Sequence, residues 1–233
     1  MSSAGNLRQR GFCARSRPEL RGNGHVATQH VRTGNRVTRQ LKHPDLFGSD
    51  PSLPGGFRYG ADLLDAGEEQ ALLNRIVALP FKEFQFHGFL GKRRVVSFGW
   101  RYDFNGGGLS KTEDMPAFVM AVRKKAASFA GVPPSELQQV LVTEYRPGAA
   151  IGWHKDRSVF GDVVGISLLA PCTFRFRRKK AAGWDRANLT VEPRSIYLLR
   201  GPSRSEWEHS IPAVDALRYS LTFRNVLEPG VDQ

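Results

Sequence analysis

Residues 218–224 read RYSLTFR. Tyr219, Leu221 and Phe223 alternate with Arg218, Ser220, Thr222 and Arg224, the period-two pattern of a half-buried β-strand. One face is apolar. The other carries two arginines whose backbones, six residues apart, stand about 20 Å from one another at the rise of a strand. Each side chain reaches inward, so two converging guanidinium groups leave a gap about as long as a five-carbon dicarboxylate. Arginine suits that task because its planar fork holds a carboxylate in two parallel charge-assisted bonds. Read alone, the strand is equally well a solvated sandwich face with two ordinary arginines.

The surrounding pattern is β almost throughout after Gly131. Strands are expected at 138–145, 151–156, 163–169, 172–178, 187–191, 195–200, 207–211 and 217–226, with 179–186 as a polar hairpin tip. An earlier aromatic and β-branched run, 93–104, reads as one more strand. Two helices precede the β region. In the first, Asp65 and Glu68 form a capping box, Leu72, Leu73, Ile76, Val77 and Leu79 keep helical spacing, and Pro80 ends the run. In the second, about 115–130, Phe118, Val119, Val122, Ala126 and Phe129 share a face and Gly131 terminates it. The fold class expected is mainly β with flanking helices, a double-stranded β-helix or jelly roll.

The stretch 145–156, YRPGAAIGWHKD, places His154 and Asp156 two residues apart. In an extended segment they project to the same face. Two ligands do not hold a divalent ion against water, and the stretch WEHSIP supplies a third, His209. Two imidazoles and one carboxylate with open positions form the facial arrangement of non-haem Fe(II) oxygenases. Zinc accepts the same ligands and competes as the reading of these three residues. The other histidines, His25, His30, His43 and His87, are placed in the tail or a loop.

The chain has 233 residues, of which 40% are hydrophobic, enough for one domain with a substantial core. Its net charge of +12 is uneven, since residues 1–43 hold nine basic side chains against Glu19. Residues 1–50 are therefore expected to be a basic, disordered N-terminal tail, and 51–230 the folded domain. A phosphate-binding arm or a targeting segment fits the tail's composition as well. No apolar run is long enough to cross a bilayer and no secretory signal is visible, so no membrane partner is expected. Two cysteines, Cys13 and Cys172, make no framework. A cytoplasmic or other intracellular monomer is expected.

Taken together, H154-K-D156, His209 at a spacing of 55 residues, and R218-Y-S-L-T-F-R224 resemble the AlkB family of Fe(II)- and 2-oxoglutarate-dependent dioxygenases. The resemblance covers roughly 53–227. It implies that His154, Asp156 and His209 bind Fe(II). It implies that Arg218, helped by Tyr145, pairs with the distal carboxylate of 2-oxoglutarate, and that Arg224 serves the end nearer the metal. Thr143 stands where many members have Asn, and Ser220 where the best-known member has Asn; both can still donate a hydrogen bond. In that family 2-oxoglutarate and dioxygen drive oxidation of an N-alkyl group on a damaged base, which is restored as the alkyl leaves as an aldehyde. The implied function is oxidative dealkylation of N-alkylated bases in DNA or RNA. Arg157 and Ser158 follow Asp156, where several repair members carry an acid. The same chemistry on a protein or lipid therefore stays open, as does a non-enzymatic, basic nucleic-acid-binding β-barrel.

A base reaching a buried metal must leave its stack and be held between aromatic faces. Phe98, Trp100, Tyr102 and Phe104 recur at period two and are expected to face one way. Trp100 and Tyr102 are the candidates for stacking, with Arg157 as a further substrate contact; an aromatic stripe is also ordinary core. Lys92, Arg93 and Arg94, and the cluster Arg175, Arg177, Arg178, Lys179 and Lys180, are candidates for phosphates. Trp153 is expected in the core and Trp207 at the cavity mouth.

Overall fold

The computed structural model describes residues 53–86, 89–106 and 108–227. The basic tail and His25, His30, His43 and His87 lie outside these residues. Strand β1 (Phe57–Gly60) is followed by α1 (Ala66–Ile76), β2 (Lys82–Phe86), β3 (Phe89–Phe98), β4 (Trp100–Asp103) and β5 (Gly108–Lys111). Next come α2 (Ala117–Ala130), β6 (Gln139–Tyr145), β7 (Ile151–His154), β8 (Phe160–Leu168) and β9 (Cys172–Lys179). The chain closes with β10 (Trp184–Val191), β11 (Ile196–Leu199), the short helix α3 (Pro202–Ser205), β12 (Glu208–Ile211) and β13 (Arg218–Val226).

Seven strands form one antiparallel sheet in the order β1-β11-β8-β13-β6-β3-β2. Four form a second, β10-β9-β12-β7. The two sheets make the jelly roll, and the RYSLTFR strand sits at the centre of the larger one, between β8 and β6. Its alternation separates two cores. Tyr219, Leu221 and Phe223 join Val140, Val142, Val164 and Ile166 beneath the helices. The opposite face of the same sheet meets the smaller sheet through Phe57, Tyr197 and Leu199 on one side and Phe174, Phe176 and Val191 on the other. Both arginines point to this inter-sheet side and are buried.

The helices follow their local signals. The Asp65 carboxylate accepts from the Glu68 N–H at 2.7 Å, and the Glu68 carboxylate from the Asp65 N–H at 3.0 Å. That reciprocal box satisfies two otherwise orphaned donors. Leu72, Leu73 and Ile76 bury against Val119, Val122 and Ala126 of α2. Gly131 ends α2 at φ 69°, with its N–H reaching back into the last turn.

The run 93–104 is not one strand. Gly99 adopts φ 77°, and a Cβ there would lie 2.1 Å from the Gln138 carbonyl oxygen. The chain turns at this point, so β3 pairs with β6 while β4 pairs with β5 in a separate two-stranded sheet. The aromatic stripe is broken accordingly: Phe98 belongs to the helix-side core, whereas Tyr102 and Phe104 line the cavity described below. Gly99→Ala combines a strained φ with a backbone clash, and is expected to destabilise by about 2 kcal/mol or more. Urea denaturation measures it. The hairpin tip is also shorter than expected, because Trp184, Asp185 and Arg186 already pair with β9.

Candidate metal centre

His154 ends β7, and its register partner across the sheet is His209 of β12. Neighbouring strands bring such partners close enough for both imidazoles to share one point. The ring centroids lie 4.3 Å apart, and Phe174 stacks on His209 at 5.2 Å with a 13° tilt. Asp156 lies two residues beyond the strand end. One ligand-type atom from each of His154, Asp156 and His209 falls within 4.8 Å of the others.

Each donor is oriented by a neighbour. His154 Nδ1 is 2.9 Å from the Gly152 carbonyl, which only an N–H can satisfy, so in the neutral imidazole Nε2 is the nitrogen that offers a lone pair. Arg224 donates to Asp156 Oδ1 at 2.9 Å, while Oδ2 is turned toward His209 Nε2 at 3.7 Å. Burial alone would raise the Asp156 carboxyl; the Arg224 guanidinium overrides it and holds the group well below the usual carboxylate range. Burial and the adjacent His154 push His209 down to about 3. A carboxylate and a neutral imidazole are the protonation states a metal requires.

Arg218 lies deeper and is 0% exposed. Its Nε donates to Ser167 Oγ at 3.2 Å, its guanidinium packs 4.7 Å from the Tyr145 ring, and among the described residues Nη1 and Nη2 have no hydrogen-bond partner. A fully buried cation with two orphaned donors is costly unless an anion meets it. A terminal carboxylate supplies what is missing, so these residues fit a dicarboxylate. Tyr145 is the register partner of Arg218, and Thr143 that of Ser220. Thr143 and Tyr145 line the cavity; Arg218 and Ser220 stand behind that lining. Arg224 also donates to Gln139 Oε1 at 3.1 Å.

The cavity holds about 1110 Å³ and is lined from both sheets and from the β4–β5 hairpin. Tyr102 and Phe104 touch edge to face at its rim, 5.0 Å between centroids, with the Arg157 guanidinium 5.1 and 5.2 Å from the two rings. Trp100 is not among the lining residues. It begins the hairpin that Gly99 swings away, and Lys111 sits 5.7 Å over its ring.

Other expectations change as well. Trp153 is not core: it lines the cavity, with Arg175 and Arg177 at 5.1 and 4.6 Å from its ring. Trp207 is not at the mouth; it is buried edge-on to Phe176. Arg94 is held by Glu144 at 2.7 Å, and Arg177, Arg178 and Lys180 pair with Glu208, Glu206 and Asp185. These cations are thus partly neutralised by neighbours that alternation alone does not reveal. Ser167, Gln139 and Phe174, which hold the arginines and His209, went unnoticed in the sequence. The one available signal was parity, since Gln139 shares a strand face with Thr143 and Tyr145.

Over residues 63–224 the chain matches the family model described as the 2OG-Fe(II) oxygenase superfamily. The chain belongs to that superfamily. This 2OG-Fe(II) oxygenase is AlkB-like. It is 29% identical over 191 residues to the Alkylated DNA repair protein ALKBH8 homolog of Arabidopsis thaliana, covering 72% of this chain and 53% of that one. It is 34% identical over 91 residues to alpha-ketoglutarate-dependent dioxygenase alkB homolog 7, mitochondrial, of Bos taurus, covering 38% and 40%. The chain thus spans about half the length of these relatives, or less. The solved structure of OsALKBH1 shares the fold at a TM-score of 0.58 and 16% identity, over 74% of this chain and 99% of that one. The cofactors of the superfamily are Fe(II), 2-oxoglutarate and dioxygen, and both the His-Asp-His donor set and the orphaned Arg218 suit them. Among the described residues, no helix is long and apolar enough to cross a membrane.

Proposed function

We propose that this oxygenase removes N-alkyl groups from bases of DNA or RNA. The observation that carries the reading is the juxtaposition of the His154, Asp156 and His209 donors with a buried, unpartnered Arg218 behind one open cavity. Fe(II) with 2-oxoglutarate and dioxygen would supply the hydroxylation of an N-alkyl carbon, after which the aldehyde leaves and the base is restored. His154, Asp156 and His209 hold the metal. Arg218 and Tyr145 take the far carboxylate of 2-oxoglutarate. Arg224 orients Asp156 and serves the carboxylate nearer the metal, and Thr143 and Ser220 add donors along the same path.

Nucleic acid as the substrate is supported by two things. One is the likeness to a protein named for alkylated DNA repair. The other is the Tyr102–Phe104 pair, an aromatic surface at the cavity rim of the kind on which an extruded base stacks. A protein or lipid substrate is the second reading. It is favoured by Arg157 in the place of an acid and by the likeness to alkB homolog 7, whose name specifies no nucleic acid.

The test is anaerobic loading with Fe(II), then air, 2-oxoglutarate and an N-methylated oligonucleotide. Matched release of succinate and formaldehyde is expected. Succinate without formaldehyde from any methylated DNA or RNA would favour the second reading.

A further inference from the structure

Among the described residues, Arg93 and Arg157 line the cavity, pack on aromatic rings and form no ion pair. Arg93 packs 3.8 Å from the Phe84 ring and Arg157 against Tyr102 and Phe104. The rings touch in sequence: Phe84 meets Phe104 at 5.5 Å and Phe104 meets Tyr102 at 5.0 Å. A cation, three aromatic rings and a second cation thus form one continuous wall. Among the described residues no carboxylate forms an ion pair with either guanidinium, and burial lowers the pKa of Arg93. Stacking on a ring occupies the face of a guanidinium and leaves its in-plane N–H groups to donate.

The balance of charge has the same sign. Six cationic side chains line the cavity against four carboxylates. Setting aside the mutually paired Asp156 and Arg224 leaves five cations, of which Lys82, Arg101, Lys155 and Arg157 are exposed, against Glu83, Asp103 and Glu113, of which only Asp103 is half-buried.

We propose that the cavity selects N-alkylated bases that are neutral and carry a carbonyl oxygen beside the alkylated nitrogen, with Arg157 and Arg93 donating to such oxygens, and disfavours bases made cationic by alkylation. This rests on the nucleic-acid reading above. N3-methylthymine is neutral with a carbonyl on each side of the methylated nitrogen, and N1-methylguanine is neutral with one carbonyl and one amino group there. N1-methyladenine and N3-methylcytosine carry a positive charge near neutral pH; beside the methylated nitrogen the first presents an amino group and no carbonyl, the second one of each. Cation against cation at about 5 Å is worth tenfold or more in rate at the effective dielectric of about 20 that holds near a protein surface.

The experiment compares kcat/KM for four single-stranded oligonucleotides, identical except for these four bases. The neutral pair is expected to exceed the cationic pair by about tenfold or more. Arg157→Glu is expected to reverse the order, and Arg93→Met to narrow the margin. Because each comparison is a ratio within one protein, a variant that is partly unfolded still reports it. A wild-type preference for the cationic pair, or a ratio that Arg157→Glu leaves in place, overturns the selection alone. Succinate without formaldehyde from all four overturns the nucleic-acid reading, and the selection with it.

Discussion

His154→Ala is expected to abolish iron retention and all substrate turnover. The three donors meet because β7 and β12 are paired with His154 opposite His209. Asp156 is already shared with Arg224, so it cannot compensate by moving to a second coordination position. Removing His154 leaves one imidazole and one half-engaged carboxylate. Loss of a residue that merely orients a ligand costs about 10–100-fold in metal affinity, so loss of the ligand itself should cost more. Iron content after gel filtration and succinate formation check it. The fold should survive, since His154 lies at a strand end outside both hydrophobic clusters. A variant that keeps stoichiometric iron would remove His154 from the donor set.

Arg218→Met should have an effect of similar size on the cosubstrate, and of opposite sign on the apoprotein. Under the proposed function Arg218, a fully buried cation, pairs with a carboxylate of the bound cosubstrate. Truncating such a partner costs about 2–5 kcal/mol, a loss of about 30-fold to several thousand-fold in 2-oxoglutarate affinity. Without cosubstrate the same guanidinium has two orphaned donors, so replacing it with an apolar side chain of similar length should leave thermal stability unchanged or raise it. Two thermal-shift titrations separate the effects: wild type gains stability with 2-oxoglutarate by mass action, and the variant does not. Arg218→Lys should recover only part of the affinity, because an ammonium lacks the planar fork.

How far the sequence could be read follows from the range of each signal. The RYSLTFR alternation carries its own two faces, so it indicated the helix-side core; read alone it left the arginine face open, because burial of that face depends on the second sheet packed over it. The Asp65–Glu68 box and Gly131 are equally local, and α1 starts and α2 ends at those residues; α1 itself stops at Ile76, before the Leu79 and Pro80 that the spacing suggested. The donor set was legible from residue type and spacing, although only strand pairing brings His209 to His154. The run 93–104 failed because a single glycine outweighs a continuous aromatic pattern: Gly99 has no Cβ to meet Gln138, and the period restarts after it. Pairing of Arg94 with Glu144, 50 residues apart, and of Arg177 with Glu208 depends on register. Side-chain alternation within a strand has no information about that. Trp153 and Trp207 were exchanged in role for a related reason, since parity tells which residues share a face but not which face meets the cavity.

The most direct test is an anaerobic titration of the full chain with Fe(II), with and without 2-oxoglutarate, followed by metal analysis and visible absorption. A single iron per chain is expected, held more tightly when 2-oxoglutarate is present, with a new visible band as the keto acid chelates the ion. Iron that binds in variable amounts, shows no response to 2-oxoglutarate and is unaffected by His154→Ala would contradict the assignment of His154, Asp156, His209 and Arg218 to one site.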